Sequence, residues 1–142
     1  MSIPVELPDL QAKTAEYTWA YLLTVRPDAT PHLVSLSPQW DGDALLMSVS
    51  TGTARNSTTG AVVTLCYPPL DHDGYSLIVD GLATAVDGTD AVPDGKHLIR
   101  FAPRGAVLHR SAAPGFANSA TGCANDCLPV DDRTNQTVAD TE

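Results

Sequence analysis

Residues 32–40 constrain the fold more than any other segment, because apolar and polar side chains alternate there with period two. Val34, Leu36 and Trp40 fall on one parity, and Ser35, Ser37 and Gln39 on the other. Successive side chains of an extended strand point to opposite faces, so the segment reads as a strand with one apolar and one polar face. Asp41-Gly42-Asp43 then has the turn chemistry of a hairpin, and residues 44–50 read as the returning strand. Residues 17–25, rich in aromatic and β-branched side chains, form the preceding strand across a turn at Arg26-Pro27-Asp28-Ala29-Thr30-Pro31. These three strands are expected to form an antiparallel meander.

The other elements are read in the same way. Leu7-Pro8-Asp9-Leu10 puts a proline and an acid where the first turn of a helix accommodates them. That helix is expected to end near Glu16 and to cover one open end of the sheet. Residues 51–60 are small and polar, carry one cation, Arg55, and hold a single helical turn. A fourth strand spans 61–67 and stops at Pro68-Pro69. A fifth spans 75–86, where Gly81 predicts a bulge or a sharp bend. A sixth lies within 96–110, interrupted near Pro103-Arg104-Gly105. Together they predict a mainly β fold, a six-stranded antiparallel barrel with one or two short helices. The barrel domain is residues 1–110. Residues 111–142 form a C-terminal tail dominated by Ser, Ala, Asn, Thr, Gly and Asp, ordered in part at most, with 131–142 expected to be disordered.

A chain of 142 residues, 43% of them hydrophobic, builds one domain around one core. Its net charge of -9, from 17 acidic and 8 basic residues, argues against a nucleic-acid binder, which needs a basic face, and against docking on an anionic membrane. An anionic small molecule would need a local exception to that field, which only a few Lys or Arg residues can supply. The start, Met1-Ser2-Ile3-Pro4-Val5-Glu6, lacks the basic segment and apolar run of a signal peptide, and no apolar stretch approaches the ~20 residues of a membrane span. A cytoplasmic location is expected.

No Gly-rich dinucleotide fingerprint, P-loop or Ser-His-Asp arrangement is present, and no catalytic residue is assigned. Ser37 and Gln39 on one strand, with Ser48 and Ser50 on the next, form two polar faces side by side. They face water or converge on a groove. Cys123 and Cys127, spaced C-x3-C, are open to a metal pair, a redox pair or a disulfide. A structural zinc site takes four ligands and no second paired motif accompanies this one, so no metal site is assigned and a locally folded tail is preferred. Cys66 lies in an apolar strand as a buried thiol. His32, His72, His97 and His109 form no spaced motif. Trp19 and Trp40, with Tyr17, Tyr21, Tyr67 and Tyr75, either stack on a planar ligand or fill a core or interface, and Trp40 is assigned to the latter.

Tyr21-Leu22-Leu23-Thr24-Val25-Arg26-Pro27-Asp28, Pro31-His32-Leu33-Val34-Ser35, Trp40-Asp41-Gly42, Ala54-Arg55-Asn56 and Tyr75-Ser76-Leu77-Ile78-Val79-Asp80-Gly81-Leu82-Ala83 follow one another along residues 8–110. In order and spacing they resemble the pyridoxamine 5'-phosphate oxidase-like split-barrel superfamily. The resemblance implies a split β-barrel that forms a homodimer and binds FMN, or in some branches the deazaflavin F420, in grooves between the subunits. If the protein is an enzyme, it implies a flavin- or deazaflavin-dependent oxidoreductase. It puts the phosphate near the third strand and the following loop, and the ring beside the polar face of the second. The candidate cofactor residues are therefore Ser37, Gln39, Ser48, Ser50, Thr51, Thr53, Arg55 and Asn56. Hydroxyls, backbone N–H groups and an arginine are what a phosphate site uses. Arg55 is either a phosphate clamp or a solvated loop arginine.

Two positions depart from the family's pattern. Thr53 stands where many flavin-binding members carry a lysine, and Ser57 where most have an aliphatic residue. These departures favour a second class of function, a cofactor-free or heme-binding small-molecule binding protein on the same fold. Gly122-Cys123-Ala124-Asn125-Asp126-Cys127-Leu128-Pro129, with Ala106-Val107-Leu108-His109-Arg110, resembles a subgroup that has no assigned reaction.

Overall fold

Alternating strands with one apolar face need a closed arrangement that turns those faces inward, and the chain achieves it by bending one strand. In the computed structural model, which describes residues 3–88, 92–111 and 125–126, these residues form nine strands and two helices. In chain order they are β1 (Ile3–Val5), α1 (Leu7–Thr14), β2 (Ala20–Val25), β3 (Pro31–Leu36), β4 (Gln39–Asp41), β5 (Ala44–Ser50), α2 (Thr51–Ser57), β6 (Val63–Tyr67), β7 (Ser76–Ala85), β8 (Lys96–Ser111) and β9 (Asn125–Asp126).

The strand order is β3-β2-β6-β7-β8-β5-β4, and neighbours are antiparallel. The two ends of this path, β3 and β4, are joined by Ser37 and Pro38 alone. The segment expected as one strand is therefore bent at Pro38, which has no N–H to give a ladder. Its first half pairs with β2, Leu22 opposite Val34, and its second with β5, Leu45 opposite Trp40. The expected meander thus exists, but through a bent middle strand that closes the sheet on itself. β3 and β5 share no ladder among the described residues, which leaves a wedge between them.

The expected count of six is corrected to nine for two reasons. The bend divides one strand into β3 and β4, and two short strands lie along β8. β5 occupies the first part of one β8 edge, while β1 (Ile3 opposite Leu108) and β9 (Asp126 opposite Arg110) extend along the rest. At three and two residues, β1 and β9 are too short to show periodicity in sequence. The expectations for Cys123, Cys127 and residues 131–142 lie outside the described residues.

The inward parity of each strand forms the core: Ala20 and Leu22, Leu45 and Met47, Val63 and Leu65, Leu77 and Val79, Ile99 and Phe101 are all buried. Each buried large side chain contributes about 1.5–3 kcal/mol relative to exposure. α1 adds Leu10, and it stops at Thr14 rather than near Glu16. Trp40 Nε1 donates to Thr14 Oγ1 (2.8 Å), which donates in turn to the Gln11 carbonyl (2.8 Å), tying the helix to the bent strand. Strand β2 begins at Ala20 rather than at residue 17, and the Tyr17 hydroxyl donates to the Tyr75 carbonyl (2.9 Å).

The sixth strand is continuous, not interrupted. Asp80 opposes Gly105 and Gly81 opposes Pro103, so Arg104 is the extra residue of a bulge on β8. Gly81 sits opposite that bulge for a steric reason. A Cβ there would lie 2.4 Å from the Ala102 carbonyl oxygen and 2.6 Å from Phe101 Cζ. At the β4–β5 hairpin, Gly42 has φ +63°, the left-handed conformation such turns require. No described helix is long and apolar enough to cross a membrane.

Candidate functional site

Parity along the bent strand and β5 decides which side chains face the wedge. Val34, Leu36 and Trp40 pack on the core, so Ser35, Ser37 and Gln39 point outward and are exposed. On β5, Leu45, Met47 and Val49 are buried, so Ser48 and Ser50 point outward. Gln39 pairs with Leu46, one outward position before Ser48. The structure thus brings Ser37, Gln39, Ser48 and Ser50 together on one outer surface at the wedge.

Helix α2 follows directly and divides the other candidates. Ser50 is its N-cap: the hydroxyl accepts from the Thr53 N–H (3.3 Å) and donates to Thr53 Oγ1 (3.1 Å). Ser50 is therefore committed to the helix start. Thr53 (1% exposed) and Asn56 (5%) face the barrel interior beside Ser57, whose hydroxyl donates to the Thr53 carbonyl (2.6 Å). Asn56 Oδ1 and, on the β2 inner face, Thr24 Oγ1 are buried without a protein partner. Thr51 and Arg55, four residues apart, share the exposed side of the helix. Ser57 explains one departure noted in the sequence: a small hydroxyl that bonds its own helix fits where an aliphatic side chain was expected.

Tertiary pairing adds two residues that sequence reading missed. Lys96 lies opposite Ser50 in the β5–β8 ladder, and His97 Nε2 is 2.9 Å from Thr51 Oγ1. No local signal could have found them, because the β5–β8 pairing spans 46 residues of chain at that bond. Arg55 and Lys96 have no carboxylate partner among the described residues, whereas Lys13 pairs with Glu16 and Arg100 with Asp41. Asp87 and Asp94 line the same hollow as Lys96 and His97. Arg55 therefore has the larger share of any attraction for an anion here.

On the other side of the bend, a hollow of about 380 Å³ is lined by Trp19, Tyr21, Ser35, Leu36 and Ser37. The Trp19 and Tyr21 rings meet edge to face, with centroids 4.6 Å apart and planes at 79°. Cys66, expected to be buried, is half-buried on the outer face of β6 between Tyr21 and Ile78. Partial burial raises its thiol pKa, opposed by a hydrogen bond with Ser76. The described residues contain no group of three or more His, Cys, Asp or Glu side chains that could hold a metal ion.

Comparison with known proteins adds relatives to this geometry. No protein-family model matches the chain. It is 38% identical over 135 residues to the uncharacterized protein Mb0449c of Mycobacterium bovis, across 87% of this chain and 93% of the relative, and MT0457 of Mycobacterium tuberculosis matches equally. Among solved structures, a pyridoxamine 5'-phosphate oxidase-like protein of Listeria innocua superposes with a TM-score of 0.58 at 15% identity, covering 72% of this chain and 96% of that one. The chain belongs to the pyridoxamine 5'-phosphate oxidase-like split-barrel superfamily. Two further split barrels differ in what their names describe. HutZ, a heme storage protein of Vibrio cholerae, has a TM-score of 0.58 at 15% identity over 71% of this chain and 93% of its own. An F420 reductase has a TM-score of 0.55 at 23% identity over 68% and 94%. In this split barrel the wedge between β3 and β5 is the split, and the candidate residues line it.

Proposed function

We propose that this split barrel binds a flavin-type cofactor, FMN or F420, in the wedge between β3 and β5, and acts with it as an oxidoreductase. One observation carries the reading. The outward polar lining of Ser37, Gln39 and Ser48 leads to the exposed Thr51–Arg55 side of α2, where an arginine without a carboxylate partner stands in a chain of net charge -9. The shared fold with the F420 reductase and the oxidase-like protein supports it. Arg55 and Thr51 would hold the phosphate, and Ser37, Gln39 and Ser48 would line the ring. Thr53 and Asn56 would act from beneath, by seating α2. The bound flavin would supply hydride transfer, and the protein would supply position and electrostatics.

The same reading includes a homodimer. Leu23, Val25, Leu33 and Val62 are large apolar side chains exposed by 40–55%. Leu23 and Leu33 are direct cross-strand partners on the outer face of β2 and β3. A contiguous exposed apolar face of this kind is what a two-fold interface covers.

The fold shared with HutZ, and Thr53 in place of the family's lysine, support a second reading, a heme-binding or cofactor-free protein. Visible spectra of the purified chain mixed with FMN, F420 and hemin separate the two. The flavin reading predicts a shifted FMN or F420 spectrum. It also predicts an affinity about tenfold weaker in Arg55→Ala, the loss of roughly one charge-assisted hydrogen bond at an exposed site, with an unchanged unfolding midpoint. A Soret-type band with hemin and no flavin binding would favour the second reading. Flavin bound equally well by Arg55→Ala would remove Arg55 from the site.

A further inference from the structure

We infer that the hollow lined by Trp19, Tyr21, Ser35, Leu36 and Ser37 is the seat of a planar, uncharged heteroaromatic ring that presents carbonyl or ring-nitrogen acceptors. The inference rests on the ligand-binding reading above and specifies where the ring of that ligand goes.

Three observations carry it. The volume, about 380 Å³, lies within the range of about 300–1,000 Å³ typical of small-molecule sites. The wall is flat and braced. Trp19 and Tyr21 have the same parity, so both project from the outer face of β2, and their edge-to-face packing fixes each ring against the other. Tyr21 is directly opposite Ser35 in the ladder, which ends at Leu36, so Ser37 borders the hollow where β3 bends away.

The third observation separates these aromatics from the structural ones. Trp40 Nε1 donates to Thr14 and the Tyr17 hydroxyl donates to the Tyr75 carbonyl, so both polar tips are satisfied inside the protein. The Trp19 indole N–H, the Tyr21 hydroxyl and the Ser35 and Ser37 hydroxyls have no hydrogen-bond partner among the described residues. Four groups able to donate therefore surround an aromatic wall. No charged side chain lines the hollow, which selects a neutral ring. Ser37 belongs both to this hollow and to the outward lining that runs toward α2, so one elongated ligand can place its ring here and its anionic end near Arg55.

The test uses the full chain, FMN, riboflavin and hemin as probes, and the variants Trp19→Ala, Trp19→Leu and Trp40→Phe. FMN is expected to quench tryptophan emission, and the quenching is expected to persist in Trp40→Phe, which leaves Trp19 as the remaining tryptophan of the two in the chain. Both Trp19 variants are expected to bind FMN and riboflavin about three- to tenfold more weakly, the effect of losing one aromatic stacking partner. Trp19→Leu keeps apolar volume and guards against a folding defect. Unchanged FMN and riboflavin affinity in both Trp19 variants would overturn the ring site and leave the flavin reading standing. Hemin bound in place of flavin, and weakened by the Trp19 variants, would uphold the ring site and overturn the flavin reading. No binding of any probe would overturn both. A Trp19 variant that dissociates a dimer without changing ligand affinity would assign the hollow to a second copy of the chain and overturn the inference.

Discussion

Replacing Gly81 by alanine tests the tightest point of the barrel. A Cβ at that position would meet the Ala102 carbonyl oxygen at 2.4 Å and the Phe101 ring at 2.6 and 2.9 Å. The carbonyl belongs to a strand paired on both edges and Phe101 is fully buried, so neither can yield cheaply. Inserting a methyl group into a packed interior costs about 1–3 kcal/mol, and a clash with backbone puts this site near the upper end, about 3 kcal/mol. With an unfolding entropy of about 2 cal/mol/K per residue over roughly 100 folded residues, that lowers Tm by about 10–15 °C. Gly105, opposite Asp80 one step along the same ladder, is the control. A Cβ there meets nothing within 4 Å, so Gly105→Ala should be neutral or stabilising by up to about 1 kcal/mol. Urea unfolding followed by circular dichroism reads both variants as shifts in midpoint at constant slope. A Gly81→Ala midpoint matching that of Gly105→Ala would refute the close approach of β7 to Phe101 and Ala102.

Ser50→Ala should cost about 1 kcal/mol by removing the N-cap of α2, read as a lower urea midpoint, and Ser50→Asp should recover most of it. Burial raises the Tyr67 phenol from 10.0 to about 12. A raised folded-state pKa contributes stability that is complete below the unfolded value. It should therefore be lost between pH 10 and about 12, with phenolate absorbance rising as the barrel unfolds. Tyr67→Phe should flatten that loss, and a variant that unfolds over the same alkaline window as the parent would contradict the assignment to Tyr67.

The candidate site was half legible in the sequence. The outward positions of Ser37, Gln39 and Ser48 follow from period-two parity against Val34, Leu36, Met47 and Val49, which is a local property. The burial of Thr53 and Asn56 was not legible. A seven-residue polar helix shows no apolar stripe, and its inward side is set by β2, β5, β7 and β8 packing beneath it. Lys96 and His97 reach Ser50 and Thr51 only through the β5–β8 ladder.

The same division holds for the fold. Sequence alone determined the strand of residues 44–50 to the residue, the hairpin at Gly42, the start of α1 and the special standing of Gly81. Each depends on side-chain alternation, turn chemistry or a missing Cβ within a few residues. Tertiary structure decided that the strand of residues 32–40 bends at Pro38 and joins two different neighbours, and that the bulge falls on Arg104 opposite Gly81. It also decided that β1 and β9 share an edge of β8 with β5. Backbone groups accept any complementary edge, so which edges meet depends on closing the whole barrel around its apolar faces rather than on any one segment.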